Sequence, residues 1–302
     1  MANTESPFFS IIIPTYNRPQ LAERAIESVL RQQYQDFEIL LIDDGSTEDY
    51  TGLIKKYQLN SKVLYNKQNN AYLPAARNKG IMLAKGSWIC FLDDDDYYLP
   101  NHLLVLNRCI IDNNFQEALY RTFTFFEDEK GIQTKQPLTK ILGNANEYIL
   151  GSILTVNNVC LPKNILLKEK FDEELRISED YNLWLRILSK TSLIESYNYT
   201  TVYFRSSFAM SSYNLNSIIR YLNVFIKTFK IDTVKKSLNY TTRKGLMNRY
   251  VVWYFDLIKK EKKTISLSLI FNVFIKYPSF YVFMLISKYY FIRLLTFFKS
   301  FI

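Results

Sequence analysis

Four apolar runs in the first third of the chain predict buried strands, because each is short, rich in Ile, Leu, Val or Phe, and ends at a turn-forming or charged residue. The predicted strands cover residues 8–13, 37–42, 62–65 and 87–92, and the apolar spacing predicts helices over residues 19–33, 51–57 and 75–84. Strands that alternate with helices form a mainly parallel sheet with helices on both faces. The sequence therefore predicts an α/β fold, followed by an all-α C-terminal region rich in basic and aromatic residues.

Polar residues follow three of these strands, at residues 14–17, 43–44 and 93–96. In open parallel sheets ligands bind beyond the carboxyl ends of the strands, so the three groups predict one site. Residues 93–96 are four aspartates between two apolar stretches, where adjacent carboxylates repel one another and are costly to desolvate. A divalent cation, Mn²⁺ or Mg²⁺, would offset that charge; the alternative is a solvated acidic turn. The sequence contains neither a G-x-G-x-x-G nor a G-x-x-x-x-G-K motif, which argues against a common dinucleotide site and against a P-loop.

Charge divides the chain into two parts, although the net charge is only +9 over 302 residues. Residues 215–302 hold 16 Lys and Arg against 3 Asp and Glu, whereas residues 1–214 hold 22 against 26. This asymmetry predicts a catalytic domain over residues 1–214 and a separate helical region over residues 215–302. Three widely spaced cysteines and no secretory signal at the start predict a cytoplasmic location.

The middle of the chain gives weaker signals. Residues 119–133 predict a hairpin with a turn near residues 128–131, and residues 178–188 predict a helix with Ser178 as its N-cap. Asp96 is expected to cap the next helix, with Pro100 in the first turn of that helix. His102 is expected to be structural. Trp184 is expected to lie in the core, and a platform that stacks on a ligand is the alternative.

Three segments together resemble the inverting glycosyltransferases of family 2, which have the GT-A fold. They are SIIIPTYNRPQLAERAIESVLRQQYQDFEILLIDDGSTED, AARNKGIMLAKGSWICFLDDDD and KFDEELRISEDYNLWLRIL, and the resemblance covers about residues 8–205. It implies a nucleotide-sugar donor, a glycan or lipid-linked glycan acceptor and a divalent cation. A catalytically inactive sugar-nucleotide-binding or scaffold protein is the alternative, and a metal-dependent phosphatase would need an aspartate where Pro14 follows the first strand.

The resemblance assigns donor-binding roles at the first two clusters. Asp44 would accept a hydrogen bond from the imide N–H of uracil, while Pro14 and Tyr16 would line the site of the base and ribose. An ordinary turn is the alternative for residues 43–46, and Asp43 itself can be purely structural.

At the acidic run the family pattern is Asp-x-Asp, which binds a divalent cation that bridges the donor diphosphate. Asp95 is the predicted metal ligand, and Asp93 or Asp94 would hold ribose or sugar hydroxyls. Arg77 would orient an aspartate or contact the donor, or else lie on a helix surface. Relatives often have glycine where this chain has Ala71, which leaves the shape of that loop open.

An inverting transfer needs a base to take the proton of the acceptor hydroxyl. By resemblance Asp180 is that base and Glu179 positions the acceptor; two acids that stabilise a helix N-terminus are the alternative. Relatives often carry Arg-x-His after the next strand, whereas this chain has Arg205 without the histidine.

The C-terminal region suggests a membrane surface. Its apolar runs at residues 264–275 and 277–287 are shorter than the ~20 residues that a spanning helix needs. Residues 280–301 combine basic and aromatic faces, which is typical of a helix that lies on anionic lipid. We therefore expect peripheral association with the inner face of the cell membrane and no nucleic-acid partner; packing on the catalytic domain or oligomerisation is the alternative.

Overall fold

The computed structural model describes residues 6–138, 144–145, 154–204, 215–243 and 245. The strands in these ranges are β1 (Phe9–Thr15), β2 (Phe37–Asp43), β3 (Val63–Lys67), β4 (Trp88–Phe91), β5 (Tyr97–Tyr98), β6 (Ala118–Glu127), β7 (Gln133–Lys135), β8 (Val159–Pro162) and β9 (Ser192–Phe204). The α-helices are α1 (Pro19–Leu30), α2 (Thr51–Tyr57), α3 (Tyr72–Leu83), α4 (His102–Asp112), α5 (Lys163–Lys168), α6 (Glu179–Leu188), α7 (Leu215–Phe229) and α8 (Asp232–Ser237). A 3₁₀ turn covers Val156–Asn158.

These strands form one sheet in the order β3-β2-β1-β4-β8-β6-β9-β5, and β7 pairs with β6 outside this path. The first four strands are parallel, as predicted. The rest of the sheet is mixed, because β8 runs antiparallel to both β4 and β6 while β9 runs parallel to β6. The hairpin prediction is confirmed, since β6 and β7 pair across a turn in which Gly131 N donates to Asp128 O at 2.9 Å.

The central strands are buried on both faces because helices cover both sides of the sheet. Ile11 and Ile13 of β1 belong to one apolar cluster, with residues of α1, α2 and α4, while Ile12 between them belongs to a second cluster on the opposite face. Helix α3 lies close to the sheet: a Cβ atom added to Gly80 would lie 2.4 Å from Ile12 Cγ2. A glycine at this position therefore lets α3 approach β1 and brings its side chains to the edge of the sheet.

Two expectations about helix ends are corrected. The predicted helix over residues 75–84 begins earlier, at Tyr72. Asp96 does not cap a helix, because β5 follows it and α4 begins only at His102, beyond Pro100. Asp96 is buried instead, and its carboxylate accepts hydrogen bonds from Phe204 N at 2.7 Å and from the side chain of Asn157.

The described part of the C-terminal region packs against α6. Phe225, Val234 and Leu238 are buried in the same cluster as Trp184, and Asn182 Nδ2 donates to Thr228 Oγ1 at 2.7 Å. The boundary between residues 214 and 215 stays a prediction, and the basic and aromatic stretch over residues 277–302 lies outside the described residues. Among the helices that are described, none is both long enough and apolar enough to cross a bilayer.

Candidate active site

The polar ends of β1, β2 and β4 meet at one edge of the sheet, as the sequence predicts. Thr15 Oγ1 donates to Asp94 Oδ2 at 2.8 Å, and Asp44 N donates to Thr15 O at 2.9 Å. Asn17 Oδ1 accepts from the backbone N–H of Thr47 at 2.7 Å. Side chain and backbone therefore hold the three loops together, and Tyr16 lies exposed between them while Pro14 is buried in β1.

The two aspartates after β2 have different surroundings. Asp43 is structural, because its carboxylate accepts from Ser46 N at 2.8 Å and from Tyr65 Oη at 2.5 Å. Asp44 Oδ1 accepts from Gln68 Nε2 at 2.8 Å and from Ala71 N at 2.9 Å. The loop before α3 therefore orients the Asp44 carboxylate, and its contact with a base stays a prediction.

The four aspartates after β4 face three different directions. Asp93 Oδ1 lies 2.7 Å from Arg77 Nη2, and Asp96 points inward as described above. Asp94 has no exposed side-chain surface and lies 2.6 Å from Arg18 Nη2, whereas Asp95 is 40% exposed and lies 3.0 Å from Arg18 Nη1. The run is therefore a structured cluster, and the alternative of a simple solvated turn is wrong.

Sequence reasoning missed Arg18, which joins the loop after β1 to the acidic run. The available signal was its place on the same loop as Tyr16, at the edge where the other polar groups meet. Burial raises the pKa of Asp94 to about 7, although Arg18 and Thr15 act in the opposite direction. Burial, followed by the charge of Asp93, also raises the pKa of Asp95. The cluster therefore favours added positive charge.

The carboxylate oxygens of the acidic run suit a cation site that uses few protein ligands. Across the described part of the chain, no group of three or more His, Cys, Asp and Glu side chains is arranged to hold a metal ion. Mg²⁺ commonly uses one or two carboxylates together with substrate phosphates and water. Asp95 fits that pattern, because it is the more exposed of the two acids paired with Arg18, which is itself 46% exposed. The residues therefore fit a cation that is shared with a diphosphate.

Arg77 joins the acidic run to the start of α6. It is buried, with Nη2 2.7 Å from Asp93 Oδ1 and Nη1 2.8 Å from Glu179 Oε1, and its guanidinium lies 5.3 Å from the centre of the Phe171 ring. Burial lowers the pKa of Arg77, but Asp93 and Glu179 together raise it above its usual value. The alternative of a helix-surface arginine is therefore wrong, while contact with a donor stays a prediction.

Glu179 and Asp180 form the first turn of α6. Ser178 occupies the N-cap position, as predicted, with φ of 51° and no side-chain capping bond. Asp180 Oδ1 accepts from Tyr181 N at 2.8 Å. Burial, and then the neighbouring charge of Glu179, raise the pKa of Asp180 to about 7. This value suits a base that must be deprotonated near neutral pH, because proton transfer is most efficient when the pKa lies near the working pH.

Two other predictions from the sequence are confirmed, and one cannot be judged. Trp184 is fully buried beside Phe91 and Phe171. His102 is buried with Nδ1 2.8 Å from Thr200 Oγ1, and burial lowers its pKa to about 3, so it has a structural role. Arg205 lies outside the described residues.

Comparison with known proteins identifies the family. The profile described as Glycosyl transferase family 2 matches residues 10–176, which is more than half of the chain. The chain belongs to glycosyl transferase family 2. The predicted resemblance is therefore confirmed, and with it the class of enzyme. The matched segment ends before Glu179 and Asp180, so the roles of these two acids stay predictions.

The alignments with relatives in family 2 cover different shares of the length of each relative. An uncharacterized glycosyltransferase of Rickettsia felis is 35% identical over 188 residues, 61% of this chain and 31% of that protein. The chain thus spans about a third of the length of the first curated relatives that it matches. The Escherichia coli protein named UDP-Glc:alpha-D-GlcNAc-diphosphoundecaprenol beta-1,3-glucosyltransferase WfaP is 30% identical over 220 residues, 71% of this chain and 84% of that protein.

Solved structures of low identity show that the fold is of the GT-A type. S. aureus TarS (residues 1–349) in complex with UDP-GlcNAc has a TM-score of 0.65 at 18% identity, and the alignment covers 88% of this chain and 79% of that one. The mannosyltransferase PcManGT from Pyrobaculum calidifontis, in complex with GDP-Man and Mn²⁺, has a TM-score of 0.59 at 13% identity, with 88% and 78% covered.

The loop before α3 of this family 2 domain has an unusual backbone conformation at Tyr72. The sequence left the shape of this loop open, because relatives often have glycine where this chain has Ala71. The φ of Ala71 is −134°, which does not require glycine. The backbone conformation that favours glycine occurs one residue later, at Tyr72, where φ is 72°. Because non-glycine residues rarely adopt positive φ, the surrounding structure must hold Tyr72 in this conformation.

Proposed function

We propose that this protein is an inverting glycosyltransferase that transfers one sugar from a UDP-sugar to a hydroxyl group of a glycan acceptor. The observation that carries this proposal is the Arg77 bridge. One buried guanidinium holds Asp93, beside the proposed diphosphate site, and Glu179, beside the proposed base. The donor-side and acceptor-side acids therefore share one arginine, which supports a single site for a direct displacement.

Asp44 is the proposed group for base recognition. The two hydrogen bonds that Asp44 accepts from described residues both end on Oδ1, so we expect Oδ2 to accept a hydrogen bond from the imide N–H of uracil. Tyr16 is exposed beside it and offers a face on which the base can stack. A UDP donor is also supported by the name of WfaP and by the TarS complex with UDP-GlcNAc.

Asp180 is the proposed general base. Its pKa of about 7 leaves a substantial fraction deprotonated at neutral pH, so that the carboxylate can take the proton from the acceptor hydroxyl as that oxygen attacks the anomeric carbon. Tyr181 N binds Oδ1 and thereby orients the carboxylate. Glu179 is fixed by Arg77 and would position the acceptor rather than compete for the proton.

Asp95 would hold Mn²⁺ or Mg²⁺, with Asp93 or Asp94 near the ribose or sugar hydroxyls. When bound, such a cation offsets negative charge on the departing diphosphate. The Mn²⁺ complex of PcManGT supports this choice of metal. Arg18 pairs with Asp95 at 3.0 Å and is therefore the positive group already present at this position.

The proposed acceptor is a lipid-linked precursor of a surface polysaccharide. WfaP is named for a diphosphoundecaprenol-linked acceptor, and another E. coli relative is named as a putative colanic acid biosynthesis glycosyl transferase. The excess of basic residues in residues 215–302 supports a location at an anionic membrane surface.

A donor screen followed by an activity assay tests the proposal. The melting temperature is measured with Mn²⁺ and UDP-glucose, UDP-GlcNAc or GDP-mannose, because a ligand that binds only the folded state raises it. UDP release is then measured with lipid-linked glycan acceptors. We expect a shift with a UDP-sugar that Asp44→Ala abolishes, and acceptor-dependent release of UDP that Asp180→Asn lowers by about 10²–10⁴-fold. Donor binding without turnover for any acceptor would favour the inactive scaffold.

A further inference from the structure

The ring of Tyr72 and the guanidinium of Arg176 join two loops at the candidate site. Arg176 Cζ lies 4.0 Å from the centre of the Tyr72 ring, which is a cation–π contact. Arg176 also donates to the carbonyl oxygen of Leu175 at 3.2 Å, so its guanidinium is held on its own loop. Both side chains are exposed. The contact therefore connects the first turn of α3 to the segment that leads into α6.

Tyr72 adopts a conformation that a side chain disfavours. Its φ is 72°, and a non-glycine residue keeps such a conformation only where the surrounding structure holds it. The preceding residue, Ala71, donates its backbone N–H to Asp44 Oδ1 at 2.9 Å. Any movement of Tyr72 would therefore reach the carboxylate that is proposed to bind the base.

Two other side chains of α3 also contact the segment that leads into α6. Asn78 exchanges hydrogen bonds with the backbone of Phe171, accepting from its N–H at 3.0 Å and donating to its carbonyl at 2.9 Å. Arg77 binds Glu179 at 2.8 Å. These contacts are buried or partly buried, so the Tyr72–Arg176 contact forms the outer, exposed end of a row along α3.

We propose that Tyr72 and Arg176 form a positioning clasp. It couples the loop that orients Asp44 to the segment that carries Glu179 and Asp180, and it keeps the donor aligned with the base. The inference rests on the proposed function, and neither residue contacts the reacting atoms. Loss of the clasp should lower kcat/KM for the UDP-sugar roughly two- to fivefold, as expected for loss of an exposed cation–π contact.

Tyr72→Gly is the decisive variant, because it removes the ring and also suits the positive φ. We expect its melting temperature to equal or exceed that of the wild type while its kcat/KM falls. Tyr72→Phe keeps the ring and should keep activity, whereas Arg176→Ala should match Tyr72→Gly. The double variant should lose no more than either single variant, because both remove the same contact. Arg31→Ala, at an exposed arginine directly after α1, is the matched control.

Hydrogen exchange of the full-length protein gives a measurement that needs no turnover. Tyr72→Gly should speed exchange in residues 172–178, and Arg176→Ala should speed exchange in residues 68–72. Unchanged exchange in both loops, or additive losses of activity, would overturn the clasp. A wild type that binds and turns over no donor would reject the proposed function, and the exchange data would still decide whether the two loops are coupled.

Discussion

Arg77 and Glu179 are 102 positions apart in the chain, yet Nη1 of the arginine lies 2.8 Å from Oε1 of the glutamate. The same guanidinium binds Asp93 at 2.7 Å and is almost completely buried. A buried charge is tolerated only when it is paired with a group of opposite charge. Removing one partner leaves the remaining charged groups buried and uncompensated. The two acids and the arginine therefore form one electrostatic unit between the acidic run and α6.

Replacing Arg77 by methionine should destabilise the protein strongly, by about 3–5 kcal/mol, because two carboxylates lose their buried partner. Urea denaturation at pH 7 measures the change. Lys56→Met is the matched control. Lys56, like Arg77, pairs with two acidic side chains, but these pairs lie on the surface, where such pairs contribute little to stability. Adding Glu179→Gln to the Arg77 variant should recover part of the loss. Equal stability of the two methionine variants would contradict the buried bridge.

Asp180→Asn should retain UDP-sugar binding but lower transfer by about 10²–10⁴-fold, the usual contribution of a general base. Calorimetric binding and UDP release measured on the same preparation separate the two effects. The wild-type kcat/KM should rise with pH and level off above about pH 7, because the pKa of Asp180 is about 7 and only the carboxylate accepts a proton. Near-normal turnover of the variant would instead implicate Glu179 or another acid.

The raised pKa of Asp180 also predicts an effect on stability. A carboxyl group whose pKa rises from its ordinary value to about 7 on folding binds more protons in the folded state, so its contribution to stability falls as pH rises from about 4 to 7. Asparagine does not titrate. We therefore expect the melting temperature of Asp180→Asn, relative to wild type, to be higher at pH 7 than at pH 5. A difference that does not change with pH would count against the buried, raised-pKa carboxyl group.

Asp95→Ala should abolish the increase in UDP-sugar affinity that Mn²⁺ causes, while the fold stays intact. The reason is that Asp95 is partly exposed and one of several clustered like charges, so its removal costs little. Titration calorimetry of the UDP-sugar with and without Mn²⁺ measures the effect. Asp36→Ala, at an exposed aspartate away from the acidic run, serves as the control. A variant that binds donor as tightly as wild type in Mn²⁺ would reject Asp95 as the ligand.

The C-terminal region should mediate binding to anionic vesicles. Full-length protein is expected to co-sediment with them, and less so at high salt, because screening weakens the attraction of the basic residues. A chain that ends at Gly245 should remain in solution. The shorter chain keeps Phe225 and Val234, which are buried in the same cluster as Trp184 of α6, so its core stays covered. Equal sedimentation of the two proteins would leave the region as a packing or oligomerisation element.

The family and the edge that carries the site could be predicted from the sequence. Apolar runs and helical spacing are local signals, and in a parallel sheet they alone determine that residues following β1, β2 and β4 share an edge. The hairpin at residues 128–131 and the burial of Trp184 follow from local patterns in the same way.

Only the tertiary structure decided what each of these residues does at that edge. Four consecutive aspartates look alike in the sequence, but Asp93 faces Arg77, Asp94 and Asp95 face Arg18, and Asp96 turns inward to Phe204 N. Their partners are distant in the chain. The same holds for Arg77. Its local sequence is consistent with a place on the surface of a helix, and only the fold brings Glu179 beside it. Burial and pairing depend on which distant groups meet in the folded chain, and no local pattern of residues encodes those meetings.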